Sequence, residues 1–317
     1  MLNLLAGSNT FELFGITIHW YGVILTSAML IAFFLFLYLA KKNDIESDFS
    51  LTMFLLAVTL AIVGARLVYV VPRFNEYFTS WEGFLRAFNI SEGGLTIMGG
   101  IPGGAIGIMI ACKIYNKSVF RVFDLVIPCL LLGQVIGRWG NYVNGELYGM
   151  LMPIEALQFF PFSVWVYDPE LGAYGWHCAN FFYEMVLNFI AFIIVMVVIF
   201  KYKDKIKVGL ISLFYVLWYC LVRGLLEFVK VGQLYWGNVR AVQLICFLAI
   251  PIVLVFIVLV QMGKIKLETE KMYERHFKIV HEPPPFEEEN DTIEELESIV
   301  ENKLTDEENE NSNDIGR

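Results

Sequence analysis

Stretches of about 20 predominantly apolar residues recur along most of this chain, and a run of that length is what a helix needs to cross the roughly 30 Å hydrocarbon core of a bilayer. They fall at about 17–40, 51–72, 95–112, 122–140, 180–200, 208–229 and 243–262. Lipid offers no hydrogen-bond partners, so only helices or closed barrels satisfy a spanning backbone. The period-two alternation of a barrel strand is absent from these runs, so each reads as a helix. The expected fold is an all-α membrane protein with about seven transmembrane helices. Composition agrees: 57% of residues are hydrophobic, 17% are charged and the mean hydropathy is +0.60, which excludes a soluble domain.

An odd number of spans puts the two ends on opposite sides, and basic residues decide which is which. The connections 41–50, 113–121, 201–207 and 264–275 carry 13 Lys and Arg, whereas the opposite loops hold only Arg73, Arg86, Lys230 and Arg240. The positive-inside rule therefore predicts an outer N-terminus and a cytoplasmic C-terminus. The longest outer loop, 141–180, has no Lys or Arg and is rich in aromatics and proline (Phe159, Phe160, Pro161, Phe162, Trp165, Tyr167, Trp176), as suits a segment lying at the interface or capping a cavity.

The net charge of −9 says little about the membrane body. Residues 282–317 hold 14 Asp and Glu against Lys303 and Arg317, leaving 18 acids and 21 bases elsewhere. We expect a transmembrane catalytic domain over 1–265 and a cytoplasmic acidic tail over 266–317, mostly disordered, with a short helix at 291–303. Cys112, Cys129, Cys178, Cys220 and Cys246 are odd in number and widely spaced, mostly within apolar runs, so neither a disulfide framework nor a metal cluster is expected. The first segment lacks a basic region and a small-residue cleavage pattern, so no cleaved signal peptide is expected.

Charged side chains inside spans are costly, and they commonly face the bundle interior and serve function. The informative ones are Arg66, Arg138, Arg223 and Glu227. Counted from the cytoplasmic landmarks Ser50, Arg121 and Lys207, the three arginines lie at one level, roughly 25 Å up by the helical rise. Tyr21 and Met98 fall near the same outer stratum. Snorkelling to the outer headgroups is the plain alternative for each arginine, and fits Arg66 best. Arg138, Asn141 and Gly145 share a helical face, as do Arg223, Glu227 and Lys230, where a buried ion pair that only fixes packing remains open. Arg240 and Gln243 repeat the polar pattern before the last span. Gly99, Gly103 and Gly107 have small-xxx-small spacing for close helix packing, and a glycine-rich helix start with exposed N–H groups can also host a phosphate. The site expected on this reading binds an anionic lipid. A transporter or channel for an anionic solute stays open, although no inverted repeat is evident. An intramembrane serine protease is disfavoured because no Gly-x-Ser-Gly with a partner histidine occurs.

The run Gly137-Arg138-Trp139-Gly140-Asn141-Tyr142-Val143-Asn144-Gly145-Glu146-Leu147-Tyr148-Gly149 resembles the signature of the bacterial prolipoprotein diacylglyceryl transferases, with Tyr142 where the family usually has Phe. The resemblance covers roughly residues 10–262 and takes in Trp20-Tyr21-Gly22, Gly64-Ala65-Arg66, Glu92-Gly93-Gly94, Arg223 with Glu227, and Arg240 with Gln243. It implies transfer of the diacylglyceryl group of phosphatidylglycerol to the lipobox cysteine thiol of a preprolipoprotein, with release of glycerol phosphate, in the bacterial cytoplasmic membrane. On it, the catalytic residues are Arg138, Arg223, Glu227 and Tyr21; the lipid-binding residues are Arg138, Asn141, Asn144, Glu146, Gly149, Arg66, Arg240, Gly99 and Gly100. The implied partners are phosphatidylglycerol, preprolipoprotein signal peptides and membrane lipid, with no nucleic acid, no cofactor and no metal.

Carbon–oxygen cleavage makes a phosphate dianion, so the chemistry calls for fixed positive charge, which Arg138 and Arg223 can supply as bidentate donors. The nucleophile belongs to the substrate peptide. One departure matters: many family members place His, others Tyr, before the Gly-Gly of the third span, where this chain has Met98, and Pro102 also replaces an aliphatic residue. A thioether cannot take a proton at neutral pH, so thiol ionisation is expected to rely on the cationic field with the phosphate or Glu146 as acceptor; His19 and His177, read first as interface anchors, are the alternatives, and an inactive relative that only binds lipid stays open.

Overall fold

The computed structural model describes residues 10–267, except 15, 90–92, 147, 169–170, 203–204, 233–234 and 237–238. Long helices dominate it: α1 (Trp20–Lys41), α2 (Ser47–Val70), α5 (Ile97–Ile114), α6 (Val119–Val143), α7 (Asn180–Tyr202), α8 (Leu210–Leu226) and α9 (Ala241–Gln261). Each starts and ends within about one turn of the expected bounds. Six are long and apolar enough to cross a membrane, the second continuing through a 3-10 turn and the short α3 (Phe74–Tyr77); α8, with 17 residues, is shorter. The chain is thus an all-α membrane protein. A further short helix, α4 (Trp81–Arg86), follows α3, and the expected tail helix at 291–303 lies outside the described residues.

The connections hold strands that the apolar pattern does not foretell. β1 (Thr10–Leu13) pairs with β2 (Ile16–His19), β3 (Ser163–Asp168) with β4 (Ala173–Cys178), and β5 (Tyr235–Trp236) with β6 (Val239–Arg240), each an antiparallel hairpin. In the β3–β4 hairpin Trp165 pairs with Trp176 and Tyr167 with Tyr174, while Val164 and His177 pair on the buried face.

α6 is central, packing along α1 and α7 and touching α8. The core between α1, α2, α6 and α7 is built from Phe36, Leu39, Phe49, Val122, Leu131 and Val195, all nearly inaccessible. α5 instead lies along α2, because glycines let the two backbones meet. A Cβ on Gly107 would stand 2.6 Å from the Leu56 carbonyl oxygen, and one on Gly99 or Gly103 would run into the backbone of Gly64 or Leu60. α9 packs on α8 and exposes Ile245, Leu248, Ile252 and Val255 on its remaining surface, a side suited to acyl chains.

Two buried polar contacts fix the end of the bundle where α6 starts. Asp124 of α6 accepts the main-chain N–H of Gly209 at 2.6 Å, that of Ser212 at 2.9 Å, and the Ser212 hydroxyl at 2.6 Å. It caps α8 from another helix, satisfying N–H groups that a helix start leaves orphaned. Lys117 is buried in an ion pair with Glu46 at 2.9 Å, which ties the α1–α2 turn to the α5–α6 turn. The five cysteines are all free and buried.

A candidate anion site at the other end of the bundle

Arg138 stands on the last turns of α6, where the helix stops in a defined way. The Gly145 N–H bonds the Tyr142 carbonyl at 3.0 Å, the Glu146 N–H bonds the Asn141 carbonyl at 2.8 Å, and Gly145 has φ +67°. This is a Schellman end, and glycine is the residue that tolerates the left-handed turn it needs. The stop turns the chain back over the helix end with Asn144 as the C-cap and Glu146 exposed; the Asn144 amide reaches the Glu146 carboxylate at 3.5 Å.

The Arg138 guanidinium has two partners here. Its Nη1 donates to Asn141 Oδ1 at 3.3 Å, and its Nη2 donates to Glu184 Oε1 in a direct ion pair. Its Nε is buried and makes no hydrogen bond. Glu184 lies on the second turn of α7 and is 8% exposed. Sequence reasoning missed it, although a signal existed: Asn180, Glu184 and Asn188 form a stripe four residues apart on an otherwise apolar helix, and all three are buried.

The second cationic group comes from α8. Arg223 Nη2 lies 3.9 Å from Glu227 Oε2, and Glu227 is 1% exposed. The stretch before α9 closes over the same helix end, with Arg240 Nη1 donating to the Glu227 carbonyl at 3.0 Å and Gln243 Nε2 to the Gly224 carbonyl at 3.2 Å. Arg138, Glu184 and Arg223 all act on the Tyr219 phenol, and the same three together with Glu227 act on the Lys230 ammonium. Burial first, then Arg223, pulls Lys230 below the ordinary lysine range. The charges of Arg138, Arg223, Glu184 and Glu227 thus all bear on Lys230 at this end of the bundle.

Main-chain hydrogen bonds tie the two halves together through Gly149. The Gly149 N–H bonds the Cys178 carbonyl at 2.8 Å, the Met150 N–H bonds the Val229 carbonyl at 2.8 Å, and the Met152 N–H bonds the Trp176 carbonyl at 2.8 Å. The segment after the α6 turn is therefore stitched between the end of α8 and strand β4. A Cβ at Gly149 would meet Val229 O at 2.5 Å, Cys178 Cβ at 2.8 Å and Asn180 Oδ1 at 2.9 Å, so no other residue fits. Buried His177 supports the same place, its Nδ1 2.8 Å from the Gly149 carbonyl.

Tyr21 joins this end from the first turn of α1. Its ring lies against Gly140, where an added Cβ would be 2.9 Å from Cδ2, and the charges that reach its phenol are Glu146 and Arg138.

Three expected lipid ligands and one expected neighbour are placed differently. Arg66 is 8% exposed and donates to five carbonyls: Ala87 at 2.8 Å, Gly93 at 2.7 Å, Gly94 at 3.1 Å, Arg86 at 2.7 Å and Asn89 at 2.9 Å. All its donors are spent holding the 86–94 segment onto α2, which argues against both snorkelling and lipid binding. Gly99 is buried against α2, Gly100 also faces α2 with Ala61 O 3.7 Å from its Cβ position, and both main-chain N–H groups bond the Thr96 carbonyl. Close packing accounts for them, rather than a phosphate cradle. Met98 is 80% exposed, turned away from the bundle interior.

Comparison with known proteins bears on what such a site does. A family model described as prolipoprotein diacylglyceryl transferase matches residues 8–260. A protein of Clostridium botulinum (strain Langeland / NCTC 10281 / Type F) named phosphatidylglycerol--prolipoprotein diacylglyceryl transferase is 35% identical over 247 residues, 78% of this chain and 94% of the relative. One from Clostridium perfringens (strain 13 / Type A), carrying the same name with the suffix 1, is 34% identical over 260 residues, 81% of this chain and 95% of its own. A third, from Synechocystis sp. (strain ATCC 27184 / PCC 6803 / Kazusa), shares 31% identity over 242 residues, 75% of this chain and 84% of its own.

Proposed function

The chain belongs to the prolipoprotein diacylglyceryl transferase family, and from that membership we propose that it moves the diacylglyceryl group of phosphatidylglycerol onto the lipobox cysteine of a preprolipoprotein, forming a thioether and releasing glycerol phosphate. The observation that carries the reading is the pair of intramembrane ion pairs at one end of the bundle, Arg138 with buried Glu184 and Arg223 with buried Glu227. A phosphodiester brings one negative charge, and departure of glycerol phosphate adds a second. Fixed guanidinium groups aimed at that point stabilise the transition state without reorganising.

In this reading Arg138 holds the lipid phosphate through the Nη donors not used by Asn141 and Glu184. Arg223, oriented by Glu227, supplies the second bidentate contact, and Arg240 fixes the helix end that carries them. Asn141 gives its oxygen to Arg138 and keeps its amide donors for a glycerol hydroxyl, with Asn144, Glu146 and the Tyr21 phenol completing that side. Gly149 serves by keeping the two halves in register, Arg66 by tying down the 86–94 segment, and Gly99 and Gly100 by packing.

We take α8 as a seventh crossing, with the N-terminus outside and the C-terminus cytoplasmic in the bacterial cytoplasmic membrane. That topology puts the site in the outer leaflet, within reach of a signal peptide that spans the membrane. Residues 1–265 then form the catalytic body.

The test is transfer of label from radiolabelled phosphatidylglycerol to a lipobox peptide by detergent-solubilised protein. Label on the peptide with wild type and none with Arg138→Ala, at equal folded yield, is the expected result. Transfer by Arg138→Ala would remove Arg138 from the site, and bound lipid with no transfer by wild type would leave a lipid-binding relative.

A further inference from the structure

The reaction needs a group to take the thiol proton, and the residues singled out from the sequence leave that place open. Met98 has no basic atom and is 80% exposed; Glu146 is exposed beyond the helix end; Glu227 is held beside Arg223. Glu184 is buried like Glu227, but it differs from all three in coming from a helix that sequence reasoning left out of the site and in a direct hydrogen bond to a guanidinium assigned to the lipid phosphate, where Glu227 stands 3.9 Å from Arg223.

Building on the transferase reading, we propose that Glu184 is the proton acceptor for the substrate thiol, brought into play when the lipid phosphate binds Arg138. Glu184 and Arg138 form a direct ion pair. An arriving phosphodiester claims the remaining donors of the same guanidinium, so two anions share one cation in a place largely closed to water. Taking up a proton relieves that crowding, because like charges in a poorly solvated site favour the neutral form of one of them. The groups facing Glu184 agree with this role: Arg138 from α6, the phenols of Tyr215 and Tyr219 from α8, and Lys230 just beyond α8. Tyr215 accepts a hydrogen bond from Gln134 at 2.8 Å. Geometry favours Glu184 for a further reason: the scissile carbon lies two bonds from phosphorus, so a thiol attacking it must pass close to whatever shares Arg138 with the phosphate.

The step balances within the site. The S–H bond breaks, its proton going to a Glu184 carboxylate oxygen. The sulfur pair forms the new S–C bond as the C–O bond breaks, and that bond's electron pair leaves on an oxygen of glycerol phosphate. Glu184 then returns the proton to the departing phosphate and is ionised again for the next turnover. No other reactant is required.

The experiment compares wild type, Glu184→Gln and Glu184→Asp in the labelled-lipid transfer assay from neutral to alkaline pH, with binding of phosphatidylglycerol vesicles measured alongside. Glutamine keeps an oxygen for Arg138 but cannot take a proton; aspartate keeps the carboxylate. We expect Glu184→Gln to bind vesicles like wild type and to lose about 100-fold in turnover at neutral pH, the scale of a missing general base. That deficit should shrink as pH rises towards the ordinary thiol pKa of about 8.5, because a thiol that ionises unaided no longer needs an acceptor. Glu184→Asp should recover part of the loss. A deficit that stays constant across pH, equal loss in both variants, or full activity in Glu184→Gln would overturn the proposal. If wild type itself moves no label, the transferase reading fails instead.

Discussion

Lysine carries the charge of arginine but not its planar fork, and Arg138 is already split between Asn141 and Glu184 before any lipid arrives. One ammonium cannot hold both and still present two parallel donors to a phosphate. Arg138→Lys should therefore insert and fold normally yet transfer about 100-fold more slowly, the usual cost of a lost transition-state donor. Rates near wild type would show that charge alone suffices. Met98 carries the opposite expectation: because its side chain points outward, Met98→His should leave the pH–rate profile of transfer unchanged, and a new titrating limb would put position 98 back in the chemistry. Lys230 gives a stability prediction with a definite sign. Its ammonium is held below the ordinary lysine range, so the unfolded chain binds that proton more tightly than the native one. The resulting penalty is largest while both states hold the proton and fades as pH rises towards the ordinary value of about 10.4. Lys230→Gln should accordingly melt above wild type in detergent at pH 7, with the gap closing at alkaline pH; a gap that widens would reverse the sign.

Among the elements, α8 depends on a residue that is not its own. Asp124 accepts three hydrogen bonds at its first turn, and removing a buried acceptor of orphaned N–H groups costs about 1–3 kcal/mol. Asp124→Ala should lower the unfolding free energy in detergent by that measure, while Asp124→Asn, which keeps one acceptor oxygen, should lose less; equal losses would argue that charge rather than capping matters. This cap also shows where sequence reasoning stops. Apolar length made the spans legible, and the polar block at 137–149 made Arg138 and Asn141 legible, since a membrane helix has little other use for such residues. Asp124 sits in the first turns of α6, close enough to a span end to pass as an ordinary boundary residue. Arg66 misled for a different reason: its partners are main-chain carbonyls 20 to 28 positions away, which leave no mark on the residue types nearby. The short hairpins were invisible because two to six residues of strand carry too little periodicity. Glu184 was readable and overlooked, since a carboxylate flanked by Asn180 and Asn188 is as unusual in a span as an arginine.

For the molecule as a whole, the family match ends at residue 260, ahead of the acidic tail, so a chain ending after residue 267 should transfer label as fast as the full chain. Lost activity in a folded truncation would extend the catalytic unit into the tail. The spacing of the two cationic clusters also belongs to this scale, because it is held by the main chain on both sides of Gly149. Amide and carbonyl groups are the same in every residue but proline, so the exposed side chains of Met150 and Leu151 can be exchanged without retuning the distance between the clusters, while a single position, Gly149, bears the constraint.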